Sequence, residues 1–171
     1  RANGGRGGGI DAGGAAALAG GAIHQNTSTR GGGGIYAGQT LSLSSVDVLS
    51  NTTTDNGPFY VGYGGGVYVQ GSATLSGGLF QNNQCTHSTC GGGGIYAMDT
   101  LTATETILRE NLAGKNGGAL NLAGIATLTG VQIISNTATV DTFGSGGGVN
   151  ATAALTLTNA TVLSNTSNSD G

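Results

Sequence analysis

Five carboxylates lie in the regular part of the chain: Asp11, Asp47, Asp99, Glu105 and Glu110. Such side chains do chemistry in groups. A hydrolase site sets two carboxylates about the bond to be cut, and a lyase site gathers several around calcium beside a base. Within the repeat described below the five occupy five different positions, so none stacks directly on another. His24 and Arg109 share a position but stand three turns apart, about 14 Å at the strand spacing, which is too far for a dyad. Asp55 and Asp141 fall in connecting loops. His87 lies between Cys85 and Cys90, yet C-x4-C without His pairs is not a zinc-ligand spacing. The two cysteines read either as a local disulfide suited to an oxidising compartment or as two free thiols. "GGRGGGID", at residues 4–11, approaches a calcium-binding nonapeptide, but Arg6 takes a required glycine position and the motif does not recur. No Lys-Ser/Thr follows a glycine cluster to cradle phosphate. The chain is therefore read as non-enzymatic, with neither metal nor cofactor.

The glycine clusters instead punctuate an internal repeat. Taking the apolar residue after each cluster as an anchor, Ile10 leads to Asn26, Ile35 to Asn51, Val67 to Asn83, Ile95 to Asn111, Leu120 to Asn136 and Val149 to Asn165. Every interval is sixteen residues. From each Asn to the next anchor the distances are nine, sixteen, twelve, nine and thirteen, so the repeat has a rigid part and an elastic part. Two, eight and thirteen residues after the anchors stand apolar columns: Ala12, Ala37, Val69, Ala97, Leu122, Ala151; Leu18, Leu43, Leu75, Ala103, Leu128, Leu157; and Ile23, Val48, Phe80, Leu108, Ile133, Val162. Apolar residues alternate with polar ones inside each segment, the period of a strand with one face buried, and 36 glycines among abundant Ser and Thr disfavour helix.

Three short strands per repeat, the same in each, predict a single parallel β-helix domain over residues 1–171, of about six turns and roughly 29 Å of coil. The Asn column becomes an inner ladder of mutually bonded amides at the corner where the third strand ends, and the glycines serve the bend before the next strand. The chain begins at Arg1 in mid-pattern without an initiator Met, as expected for a fragment or processed part of a longer protein.

Glycine pairs followed by a small or apolar residue, "GGGI" at residues 92–95 and "GGAL" at 117–120, together with "FQNN" at 80–83, resemble the GGA[ILV] and FxxN repeats of chlamydial polymorphic outer-membrane proteins. Similar repeats occur in large bacterial surface proteins with right-handed β-helix regions. The resemblance covers essentially the whole chain. It implies a right-handed coil, a secreted or cell-surface location, and adhesion as the usual role.

Two outward features could carry recognition. Tyr36, Tyr68 and Tyr96 immediately follow three successive anchors, and Phe59, Tyr60 and Tyr63 precede the middle one. They form either an aromatic strip for sugar rings or a protein partner, or cross-strand stacking that stabilises the sheet. Seven and nine residues after the anchors come Ser42 and Ser44, Thr74 and Ser76, Thr102 and Thr104, Thr127 and Thr129, Thr156 and Thr158. This hydroxyl face resembles the T-x-T surface of β-solenoid ice-binding proteins, though Thr is also common on exposed strands. A net charge of −3 with 8% charged residues gives no basic stripe for nucleic acid, and no apolar run approaches the ~20 residues that span a membrane. The expected function is an extracellular structural or adhesive element, displaying loops from a rigid coil and stacking head to tail with further copies. A carbohydrate-binding or polysaccharide-cleaving module is the competing class, and ice binding a third.

Overall fold

A computed structural model describes residues 5–54, 63–139 and 144–168 of the chain. These residues form four six-stranded, wholly parallel sheets, each strand pairing with its counterpart one repeat away. Six rungs are thus stacked in five steps, with no helix among the described residues. The anchors lie in perfect register, Ile10 on Ile35, Val67, Ile95, Leu120 and Val149 in turn. Each rung cannot bury its apolar side alone, and stacking supplies the core.

Each rung carries four strands, not the three expected from the pattern. In the second rung they are Ile35–Ala37, Leu41–Ser44, Asp47–Leu49 and the two-residue Thr52–Thr53. The fourth strand follows the corner Asn, and its inward column is Ser28, Thr53, Cys85, Ala113, Ala138 and Ser167. These residues are small, so the segment lacks the large apolar signature by which the others are recognised. A small column also brings hydroxyls inside: buried Ser28 Oγ lies 3.2 Å from Thr53 Oγ1, which donates to Gly64 O at 2.8 Å.

Corners are made by left-handed backbone. The residue before every corner Asn has φ between 53° and 56°: Gln25, Ser50, Asn82, Glu110, Ser135 and Ser164. None is glycine, although this conformation costs a residue with Cβ about 1–2 kcal/mol. The corner before the third strand is left-handed as well, with Gly20, Gly77 and Gly130 alternating with Ser45, Glu105 and Asn159. The bend into the first strand is stricter. Gly92 has φ 71° and a Cβ there would overlap the Ile95 carbonyl; a Cβ on Gly93 would overlap the carbonyls of both Leu112 and Gly118. A Cβ at the third position, Gly94, would meet the Ala119 carbonyl at 2.8 Å and the Asn111 side chain at 3.4 Å, looser than at Gly93, and in the fifth rung this position is Ala119.

The core is one column-built cluster running through the stack from Ile35 to Ile133. Columns two, eight and thirteen point inward as their alternation predicts. Val46, Thr106 and Val131, all buried, add corner positions just ahead of the third strand.

Candidate functional site

Three constellations emerge: the inner Asn ladder, the tyrosine seam on the first sheet, and the hydroxyl face of the second sheet. In the ladder, the backbone N and Nδ2 of Asn26, Asn51, Asn83, Asn111 and Asn136 donate to Oδ1 of the Asn one rung up, as from Asn83 to Asn111 at 3.0 Å each. The Nδ2 group also donates one rung down to the carbonyl of the residue three before the lower Asn: Asn51 to Ile23 O, Asn83 to Val48 O, Asn111 to Phe80 O, Asn136 to Leu108 O and Asn165 to Ile133 O. Asn51, Asn83, Asn111 and Asn136 are buried, and their amides are thereby satisfied. All six Asn expected in the ladder take part, with Asn26 at its foot. The ladder holds the coil and is closed to ligands.

The seam is built by register. Tyr36 pairs with Tyr68, Tyr68 with Tyr96, Tyr96 with Asn121 and Asn121 with Asn150. Tyr63 enters from the preceding bend, bridging Gly31 and Gly91 in backbone. Its ring lies between those of Tyr68 and Tyr96, with centroids 5.1 and 4.4 Å away. Tyr36 and Tyr68 are 5.5 Å apart, Tyr68 and Tyr96 5.7 Å edge-on. The bend glycines allow this overlay: a Cβ on Gly31 would come within 2.8 Å of the Tyr68 ring, and one on Gly91 would overlap the Asn121 amide.

As a result the strip is not an open aromatic surface. Tyr36 is 1% exposed and Tyr68 7%, while Tyr63 and Tyr96 remain half-buried. The Arg6 guanidinium sits 4.2 Å over the Tyr36 ring and donates to its hydroxyl at 2.9 Å. That hydroxyl donates to Gln70 Oε1, Gln70 Nε2 donates to Tyr68 Oη, and Tyr68 donates to the Met98 sulfur at 3.0 Å. Desolvation by burial raises the Tyr68 phenol above its ordinary value of 10.0, partly offset by the Gln70 bond. Tyr96 is raised by the same desolvation and by Tyr63. Both are held as neutral phenols. The seam therefore offers a ligand only the outer edges of Tyr63 and Tyr96 beside exposed Met98. Phe59 and Tyr60 lie outside the described residues. Gln70 and Met98 were not singled out by sequence, and Arg6 was met only as the residue that breaks the glycine nonapeptide; Arg6 shares no column with its partners, and only the repeat register of Gln70 and Met98 could have pointed to them.

The hydroxyl face is in register across five rungs, Ser42 on Thr74, Thr102, Thr127 and Thr156, and Ser44 on Ser76, Thr104, Thr129 and Thr158. All are exposed except half-buried Thr129, and no charge interrupts the two columns.

The carboxylates are spent singly. Asp47 accepts from Leu79 N at 2.9 Å, Asp99 from Ser72 Oγ at 3.0 Å, and Glu110 from Gln81 Nε2 at 2.6 Å, with Arg109 bonding the same glutamine at 3.0 Å. Among the described residues no three of His, Cys, Asp and Glu gather into a metal-sized group. Cys85 and Cys90 are joined as a disulfide, Cα atoms 5.6 Å apart, around a turn closed by Cys90 N to His87 O at 2.9 Å. His87 Nδ1 lies 2.8 Å from Thr89 Oγ1. The next rung sits on this turn through Gly114 N to Cys85 O and Lys115 N to Cys90 O, both 2.8 Å.

No protein-family model matches the chain, and no curated protein or solved structure matches it. Among the described residues no helix is long and apolar enough to cross a membrane, which says nothing of β-barrels.

Proposed function

We propose that the chain is a non-enzymatic, extracellular structural or adhesive element, a stiff coil that holds its inter-rung loops at fixed spacing for recognition. The observation that carries this reading is the division of labour within each rung. Sixteen residues from anchor to Asn are invariant in length and are taken up by core columns, corners and ladder, while all length variation falls between Asn and the next anchor, the connecting segments in which recognition tends to reside. The buried disulfide fits a secreted or cell-surface setting. Membership among surface proteins with GGA[ILV] and FxxN repeats belongs to the same proposal.

The test is binding of the folded chain to glycan arrays and to host-cell surfaces, repeated with the loops after Asn51, Asn83 and Asn136 replaced by Gly/Ser linkers. Loss of binding with an unchanged circular dichroism spectrum supports display; binding that survives all three replacements refutes it. A second reading, carbohydrate binding at the seam, draws support from the outer edges of the half-buried Tyr63 and Tyr96 rings beside exposed Met98, an amphipathic rim for a sugar. On that reading Tyr96→Ala abolishes glycan binding while the loop replacements leave it intact. Release of oligosaccharides from any polysaccharide tested would move the chain to the enzyme class.

A further inference from the structure

We infer that Asn51 is a glycan acceptor in the unfolded chain, and that its modification and its place in the ladder exclude each other. Once a sugar is on its Nδ2 the coil cannot close, and once the coil has closed the acceptor is out of reach. The inference is independent of the display reading: it concerns how the coil is reached, not what it binds.

Asn-x-Ser/Thr triplets are N-glycosylation acceptors and in secreted proteins mark surface loops. Five occur in this chain, beginning at Asn26, Asn51, Asn150, Asn159 and Asn165. Three of the five begin at corner residues of the ladder. The fold puts them there. Two places after each ladder Asn comes the inward column of the fourth strand, which takes small residues, and in these rungs the occupants carry hydroxyls: Ser28, Thr53 and Ser167. Where Cys85, Ala113 and Ala138 fill the column, no such triplet arises.

Asn51 lies inside the stack, with Asn26 below and Asn83 above. It is buried, and both Nδ2 protons are in use, one donated to Asn83 Oδ1 at 3.1 Å and one to Ile23 O at 2.9 Å. Its Oδ1 accepts from N and Nδ2 of Asn26. The Thr53 hydroxyl that completes the triplet is buried too and donates to Gly64 O at 2.8 Å. Space is equally short. A Cβ on Gly34 would already stand 3.1 Å from Asn51 Nδ2, so the column has no room for a sugar ring. Transfer from a lipid-diphosphate-linked oligosaccharide forms a bond from Nδ2 to the anomeric carbon and breaks that carbon's bond to the diphosphate oxygen. The lipid diphosphate leaves, and one Nδ2 proton passes to a base of the transferase. A glycosylated Asn51 therefore has one proton for two ladder bonds and would carry its sugar hydroxyls into a buried column without partners. Asn159 is the contrast. It is exposed at the left-handed corner before the third strand, a position that is exposed in interior rungs as well, at Ser45 and Glu105.

The experiment uses three versions of the full 171-residue chain, all carrying Ser28→Ala and Ser167→Ala so that Asn51 begins the one remaining ladder triplet. One keeps Thr53; one carries Thr53→Ser, which retains the acceptor; one carries Thr53→Ala, which removes it. Ser and Ala both occur naturally in this column, and Gly64 O keeps its bonds from Gly32 N and Gly33 N when the Thr53 hydroxyl is lost. Each version is made in the secretory pathway of a glycosylating eukaryotic cell and in the periplasm of a bacterium without the transferase. Limited proteolysis sorts each product into resistant and sensitive fractions, and mass spectrometry assigns glycans by site. Yields of resistant chain are divided by those from the bacterium, which removes any packing effect of the substitutions. Thr53→Ala is expected to give severalfold more resistant chain in the glycosylating cell than either version that keeps the acceptor. An Asn51 glycan is expected in the sensitive fraction alone, and an Asn159 glycan in both. Protease-resistant chain glycosylated at Asn51, or equal normalised yields from all three versions, overturns the inference.

Discussion

Asn111 shows why one residue type recurs at one position through every rung. Its Oδ1 accepts twice from Asn83, while its own N and Nδ2 donate to Asn136 Oδ1 and Nδ2 also reaches Phe80 O. Asn111→Ala removes these side-chain bonds and strands groups above and below in a buried column. An unsatisfied buried polar group costs about 1–3 kcal/mol, so a loss of about 3–5 kcal/mol is expected in denaturant unfolding. Asn165→Ala, half-exposed at the last rung, is expected to lose about 1–2 kcal/mol. The tyrosines give a prediction in pH. Burial raises the Tyr68 and Tyr96 phenols in the folded state above 10.0, so the folded chain binds protons more tightly than the unfolded one. The corresponding stability is present below pH 10 and is lost as pH rises through the raised values. Thermal melts from pH 9 to 11.5 should show this fall, and Tyr68→Phe should make it shallower. Much at this scale was legible: the Asn ladder follows from sixteen-residue spacing alone. The burial of Tyr36 and Tyr68 was not, because it depends on Arg6, Tyr63 and the bend glycines, which lie outside the strand pattern and meet the rings only in the folded coil.

At the level of the element, the glycine cluster separates into positions with different rules. Gly93→Ala would press a methyl into backbone carbonyls on both sides, where nothing flexible can yield, and is expected to cost more than about 3 kcal/mol or to block folding. Gly94→Ala presses less hard, with a Cβ 2.8 Å from the Ala119 carbonyl and 3.4 Å from the Asn111 side chain, in a column where the fifth rung accommodates alanine; a smaller loss, about 1–2 kcal/mol, is expected. Paired urea titrations of the two variants check the contrast. The three longer strands were readable from period-two alternation in Ile35–Ala37, Leu41–Ser44 and Asp47–Leu49. The two-residue strand was missed because its inward column mixes Ser, Thr, Cys and Ala, residues that fill a narrow corner without leaving a hydropathy signal. The small inward residue two places after each Asn was the available clue.

For the whole molecule, contacts run only between neighbouring rungs, as the pairing of every sheet shows, and a solenoid of this kind opens from its ends. Hydrogen exchange should therefore be slowest in the third and fourth rungs, around Phe80 and Leu108, and fastest in the first and sixth, where Leu18 and Val162 are partly bare. Reduction of Cys85–Cys90 is expected to remove about 2 kcal/mol for so short a loop, with faster exchange around Gly114 and Lys115, which rest on the bridged turn, and little change at either end. Uniform protection throughout would contradict this picture.

The unequal loops have a mechanical consequence. Anchors are separated by 25, 32, 28, 25 and 29 residues, so a coil drawn out along its axis should peel rung by rung and lengthen in unequal steps. At about 3.3–3.6 Å per extended residue, a released rung pays out roughly 80–115 Å of chain, and the Cys85–Cys90 bridge shortens the step that contains it until reduced. A force–extension trace would thus record the order of the loops as a sequence of distances, and the coil would act as a tether that yields in stages under load.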